Sequence, residues 1–248
     1  MSQGLNGYQA VTTYPLYLES GPKKRKTMVH VLDLLGCVAK GPTTEEALTA
    51  APEAIRARLR FLKRHGEPVD PQAEFTTRIV EHVTEGQWLG NGDPALVFQP
   101  DLKPLTPKDA EKFLYWLEWS RTEVIELVGG LTPKQLEAEP RTTGRSIRAM
   151  LEHVLESEHF YLCSAFGRIE GLPAPGAIIQ KREGDLLPWM GRVRKVEVER
   201  IWSLTPAERS QVVEHWKQTW TARKALRRML EHEWEHLLEL CERFGSSV

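Results

Sequence analysis

No apolar run in this 248-residue chain approaches the eighteen or so residues that cross a bilayer, so no membrane-spanning helix is expected. The opening MSQGLNGYQAVTTYP lacks an apolar core and a cleavage site. A signal peptide is therefore not expected either, and the chain reads as cytoplasmic. Cysteine is scarce: Cys37, Cys163 and Cys241 are odd in number and far apart. They read as reduced thiols, not as a disulfide frame. Excess charge is missing too. A formal net charge of −1 gives no bulk attraction to nucleic acid or to an anionic membrane. What remains, 41% hydrophobic and 27% charged, is an ordinary globular composition. The length suits two modest domains, or one.

The most specific string lies near the C-terminus: His232, Glu233, Trp234, Glu235, His236. Histidines four apart on a helix stand one above the other and can reach one ion through Zn–N bonds of about 2.0–2.1 Å. The string also fits the H-E-x-x-H pattern of zinc proteases. The following run, Leu237-Leu238-Glu239-Leu240-Cys241-Glu242, lacks the glycine and histidine of the metzincin continuation. Only twelve residues follow His236, so a glutamate ligand some twenty residues downstream is not expected. A third ligand must then come from upstream.

The chain changes character near residue 90. Seven of its eight tryptophans lie at or beyond Trp116. Gly90, Gly92, Pro94, Pro100 and Pro104 crowd one stretch that interrupts both helix and sheet. The expected organisation is a first unit over 1–88, a Pro/Gly linker over 89–105 and a second unit over 106–248.

The first unit reads as a small α+β sheet domain in the order β-β-β-α-β. Strands are expected at 12–20, 27–32, 37–39 and 75–82. The basic run Lys23-Lys24-Arg25-Lys26 falls at a turn and reads as a solvated hairpin tip that discourages edge pairing, with a phosphate-binding patch as the alternative. Thr43 with Glu46 forms a capping signature, and the helix behind it stops near His65-Gly66. His30 and His82 read as strand residues, not ligands. The segment Val31-Leu32-Asp33-Leu34-Leu35-Gly36-Cys37-Val38-Ala39-Lys40-Gly41-Pro42-Thr43-Thr44-Glu45-Glu46-Ala47-Leu48 resembles the HicB-like antitoxin module, over about residues 10–85. That resemblance implies a toxin-like protein partner. A linker and a helical half follow where HicB antitoxins continue into a DNA-binding segment, so nucleic acid is not expected as a partner.

The second unit reads as an all-α four-helix bundle. Helix starts are marked by Thr106-Pro107, Thr132-Pro133, Ser146-Ile147 and Thr205-Pro206. Long helices are expected from 106 to Gly129, from 146 to about Gly167, near 188–203 and from about 219 to 244. A loop with Gly171, Pro173, Pro175, Gly176 and Gly184 crosses to the third of these. On the last helix His232 and His236 fall within the apolar series Ala225, Met229 and Leu240. Two buried neutral imidazoles need partners, and a metal satisfies both. His153, His159 and His215 can supply the third ligand, and His153 sits best on the inward face. Glu156, one turn further along that face, can act as base or as a partner that orients a ligand. Glu233 and Glu235 read as solvated or salt-bridged, and Cys163 and Cys241 as core.

The stretches Ser146-Ile147-Arg148-Ala149-Met150-Leu151-Glu152-His153-Val154 and Leu230-Glu231-His232-Glu233-Trp234-Glu235-His236 resemble the DinB-like family of metal-binding four-helix bundles, over about residues 107–245. The resemblance implies that His153, His232 and His236 hold a divalent ion, zinc or nickel. It also implies a homodimer and a small-molecule substrate. The implied activities are those of a thiol S-transferase using a low-molecular-weight thiol, or of a hydrolase. A non-catalytic regulator, with an antitoxin-like module fused to a structural metal bundle, is the alternative.

Overall fold

The computed structural model describes residues 11–140, 144–173 and 186–246. Its first unit has β1 (Thr12–Ser20), β2 (Arg25–His30), β3 (Val38–Thr43), α1 (Thr44–Arg64) and β4 (Phe75–Val83). The order β-β-β-α-β is the expected one. The sheet runs β3-β2-β1-β4, with β4 parallel to β1 and the other pairs antiparallel. Thr43 caps α1 by accepting from the Glu46 amide at 3.2 Å, and its hydroxyl donates to the Glu46 carboxylate.

Strand register sorts the side chains by face. Leu16, Leu18, Val29 and Ala39 share the face that α1 covers, while Glu19, Met28, His30, Val38 and Lys40 share the other. Gly36, in the turn before β3, has φ +93°, and a Cβ there would stand 2.8 Å from the Arg58 guanidinium. Arg58, on α1, is fully buried among the rings of Phe61, Trp116 and Trp234.

The helical half has α2 (Pro107–Val128), α3 (Pro133–Glu137), α4 (Ile147–Phe166), α5 (Leu186–Trp202), α6 (Pro206–Ser210) and α7 (Ala222–Phe244). Thr106, Thr132, Ser146, Thr205 and Thr221 each cap the helix that follows. Helices α2, α4, α5 and α7 form the bundle. A hairpin, β5 (Val213–His215) with β6 (Gln218–Trp220), stands where only helix and loop were expected. The expected crossing loop is described only through Pro173; its Pro175, Gly176 and Gly184 lie outside the described residues. No helix among the described residues is long and apolar enough to cross a membrane.

Residues 89–105 hold little regular structure beyond one turn of 3-10 helix, Gln99–Leu102, yet Leu89, Leu96, Phe98, Asp101 and Leu105 are buried. This strap is fastened to both halves. Glu19 of β1 accepts from the Gly92 amide at 2.7 Å, and Arg228 of α7 donates to the Gly92 carbonyl at 3.0 Å. Arg227 makes a two-pronged bond to Asp101 at 2.8 and 2.9 Å. Gly90, at φ +82°, allows the strap to lie against the Lys26 carbonyl, which a Cβ would strike. One continuous apolar core therefore runs from the sheet through α7 into the bundle.

Candidate metal centre

Helix α7 is buried almost all round, and successive side chains leave it about 100° apart. Glu231 points to the sheet, where it meets His30 at 2.8 Å. His232 points to α4, with its Nε2 3.1 Å from the Nε2 of His153. Glu233 points into the bundle, to Arg121 of α2 at 2.5 Å and Arg194 of α5 at 2.7 Å. Three consecutive residues thus serve three different partners.

One turn beyond His232, His236 completes a group. One ligand atom from each of His153, His232 and His236 lies within 4.8 Å of the others. The ring centroids are 4.7–5.6 Å apart and the rings stand edge to face. His232 is buried, and its Nδ1 has no hydrogen-bond partner among the described residues. Burial, with His236 and His153 close by, holds the His232 pKa well below the ordinary value. Burial and the Arg145 charge bring His153 down to about 4. Both rings are therefore neutral at physiological pH, with lone pairs free for a ligand role. A tetrahedral ion with bonds of about 2.0–2.1 Å would hold its nitrogens about 3.3 Å apart, close to the His153–His232 separation. The donor set, three neutral imidazoles, fits a divalent transition-metal ion.

The third ring is steered from behind. The Nδ1 of His236 meets the Glu239 carboxylate at 3.0 Å, leaving Nε2 toward the other two rings. Glu239 is itself held by Arg243 at 2.5 Å, and Arg243 donates to the Arg145 carbonyl at 2.9 Å. Such carboxylate–histidine pairs fix tautomer and orientation at metal sites. Glu239→Ala is expected to weaken zinc binding about 10–100-fold while leaving apo-protein thermal stability nearly unchanged. Isothermal titration checks this, and an unchanged affinity would mean that packing alone orients His236.

The other expected candidates are not among the three converging side chains. Glu156 is half-buried on α4, one turn past His153, and makes no side-chain hydrogen bond or ion pair with a described residue. His159 and His215 line a separate cavity of about 810 Å³ together with Cys163. Glu235 pairs with Lys40 of β3, and Glu233 is salt-bridged but buried, not solvated.

Sequence reasoning missed two buried polar networks that brace the site. In the bundle, Arg121 reaches Glu158 of α4 at 2.8 Å as well as Glu233, and Arg194 reaches Glu158 at 2.6 Å. Glu197 lies beside them, its pKa pushed up to about 8 by burial and by Glu158. Two guanidinium groups thus face three carboxyl groups, with Glu197 3.4 Å from Arg194. In the second network, His30 is wedged between Glu231 and Glu19, the latter 3.4 Å away, and Arg227 and Arg228 close on Glu231 at 2.8 and 2.9 Å. The signal was present in the sequence: Arg121, Glu158 and Glu233 all fall on the apolar stripes of their helices.

A family model of the DinB superfamily matches residues 117–240, half of the chain. No curated protein matches it. Among solved structures it is similar to YfiT from Bacillus subtilis, described as a probable metal-dependent hydrolase with an unusual four-helix bundle topology. The identity is 17%, over 58% of this chain and 93% of that one, with a TM-score of 0.42.

Proposed function

Because the chain belongs to the DinB superfamily, we propose that it is a metal-dependent enzyme acting on a small molecule, a thiol S-transferase or a hydrolase. His153, His232 and His236 would hold the ion, zinc or nickel. The observation that carries this reading is the convergence of three imidazoles from α4 and α7, two of them with depressed pKa values. Three neutral ligands leave a divalent ion its full charge, which would acidify a water or a low-molecular-weight thiol toward a pKa of about 7. Glu156 is the proposed base, and normal turnover by Glu156→Gln would remove it from that role.

The deciding measurement is metal content of the untagged protein, beside a His232→Ala, His236→Ala double variant. About one zinc or nickel per chain, lost in the double variant, is the expected result. Wild-type protein that takes up neither ion would end the enzyme reading. An interaction protein with an inherited histidine pair would then stand, its first unit proposed as a HicB-like module on the β-β-β-α-β order. Capture of a small toxin-like protein by the full chain would test that module. The proposal includes a homodimer, which a monomeric mass by light scattering would exclude.

A further inference from the structure

We propose that the N-terminal sheet supplies the substrate-recognition residue of the metal centre, Lys40, and that the substrate is a small organic anion, a carboxylate or a phosphate. This inference rests on the metal-centre reading and adds the substrate class to it.

Strand parity places Lys40 on the sheet face that looks at α7, the face that also carries His30 and Glu19. Glu231 and Glu235, one turn apart on α7, reach His30 and Lys40 respectively. The strand pair therefore lies along the helix, and its edge strand ends up beside His236. A cavity of about 340 Å³ opens there, walled by Val38 and Lys40 from β3 and by Glu235, His236, Glu239 and Glu242 from α7. His236 is thus both a member of the histidine group and part of the cavity wall. A second cavity of about 540 Å³ adjoins it, lined by Arg25, Lys26, Lys40, Gly41 and Pro42. Lys40 is common to both.

The charges around this groove settle its preference. Glu239 is engaged by His236 and Arg243, and Glu235 by Lys40. Glu242 is the acid of the wall that pairs with no cation among the described residues. Arg25 and Lys26, both exposed and neither in an ion pair with a described residue, border the adjoining cavity through their aliphatic stems, and the cations beside Glu242 are Lys40 and Arg243. A divalent ion held by three neutral rings adds two further positive charges. The loaded groove is therefore net positive, and a ligand with one anionic group at the ion and another at Lys40 satisfies both ends. An ammonium is a mobile point-charge donor suited to such contacts. Glu235 serves as its resting partner when the groove is empty.

The test uses the full chain loaded with cobalt(II), whose visible absorption reports ligands that reach the ion. Acetate is compared with malonate, succinate and glutarate in the wild type, in Lys40→Met, and in Lys40→Met combined with Glu235→Gln. The double variant removes the unpaired carboxylate that the single one creates. One of the dicarboxylates is expected to bind about tenfold more tightly than acetate in the wild type, the effect of one charge-assisted contact. Both variants are expected to lose that margin, with acetate and cobalt affinities unchanged. A margin that survives in Lys40→Met, or returns in the double variant, overturns the role of Lys40 while leaving the metal centre intact. Equal binding of acetate and every dicarboxylate by the wild type overturns it as well. A wild-type chain that takes up no cobalt overturns both readings.

Discussion

Arg121→Ala will lower the free energy of unfolding by about 3–5 kcal/mol, read from urea titration. The residue sits between Glu158 and Glu233, with all three side chains almost completely buried. Pairing with two carboxylates raises the Arg121 pKa against the opposing effect of burial. Removing the guanidinium leaves Arg194 alone to face two buried negative charges. The protein must then keep them unpaired or protonate one. The cost therefore comes chiefly from the orphaned partners, not from the lost attraction. Adding Glu158→Gln to Arg121→Ala should recover part of the loss, because the sites share one network. A single-variant loss below about 1 kcal/mol, the size of an exposed pair, would show that solvent reaches the cluster.

His30→Ala is the second variant with a large expected effect, about 3 kcal/mol near pH 6. Burial alone would push the His30 pKa down, but the Glu231 and Glu19 carboxylates more than offset this and hold it above 6.5. A histidine raised in the folded state contributes stability that is fully present below the unfolded pKa, about 6.5. That contribution is lost as pH rises through the higher folded value. The Glu19 carboxyl is shifted the opposite way: burial would raise it, but the bond to His30 keeps it below the ordinary value. Its contribution is present above about pH 4.5 and is lost on acidification. The stability difference between wild type and His30→Ala should therefore be widest near pH 5–6.5 and shrink toward both pH 4 and pH 9. A constant difference across that range would show that His30 is neutral when folded.

The parts of this architecture that announce themselves do so through local chemistry. Helix starts were legible because Thr43, Thr106, Thr132, Ser146 and Thr205 are hydroxyl caps, several followed by proline, and each one caps in the structure. The histidine group was legible because His232 and His236 interrupt an apolar series at a spacing of four. His153 was favoured over His159 and His215 by its place on the inward face. The β5–β6 hairpin was hidden because its turn uses Trp216 and Lys217 at φ 52° and 61°, without the glycine or asparagine that usually marks such a conformation. The pairing of β4 alongside β1 is a matter of tertiary register, and no residue of β4 states it. The buried charges were missed for a different reason. A charged residue on an apolar stripe reads as an imperfection until the partner that neutralises it, on another helix, is known.

The burial of the Lys224–Trp234 stretch of α7 on every side has a consequence for how the protein breathes. Its peptide amides cannot meet solvent while the sheet, the strap and the other bundle helices stay in place. They should exchange hydrogen only when the whole molecule opens, more slowly than the amides of the exposed edge strand β4. An ion that binds only the assembled histidines would draw on the same opening equilibrium and suppress it in proportion to its occupancy. Chelation would then speed exchange in β2 as well as in α4, although no residue of β2 belongs to the histidine group.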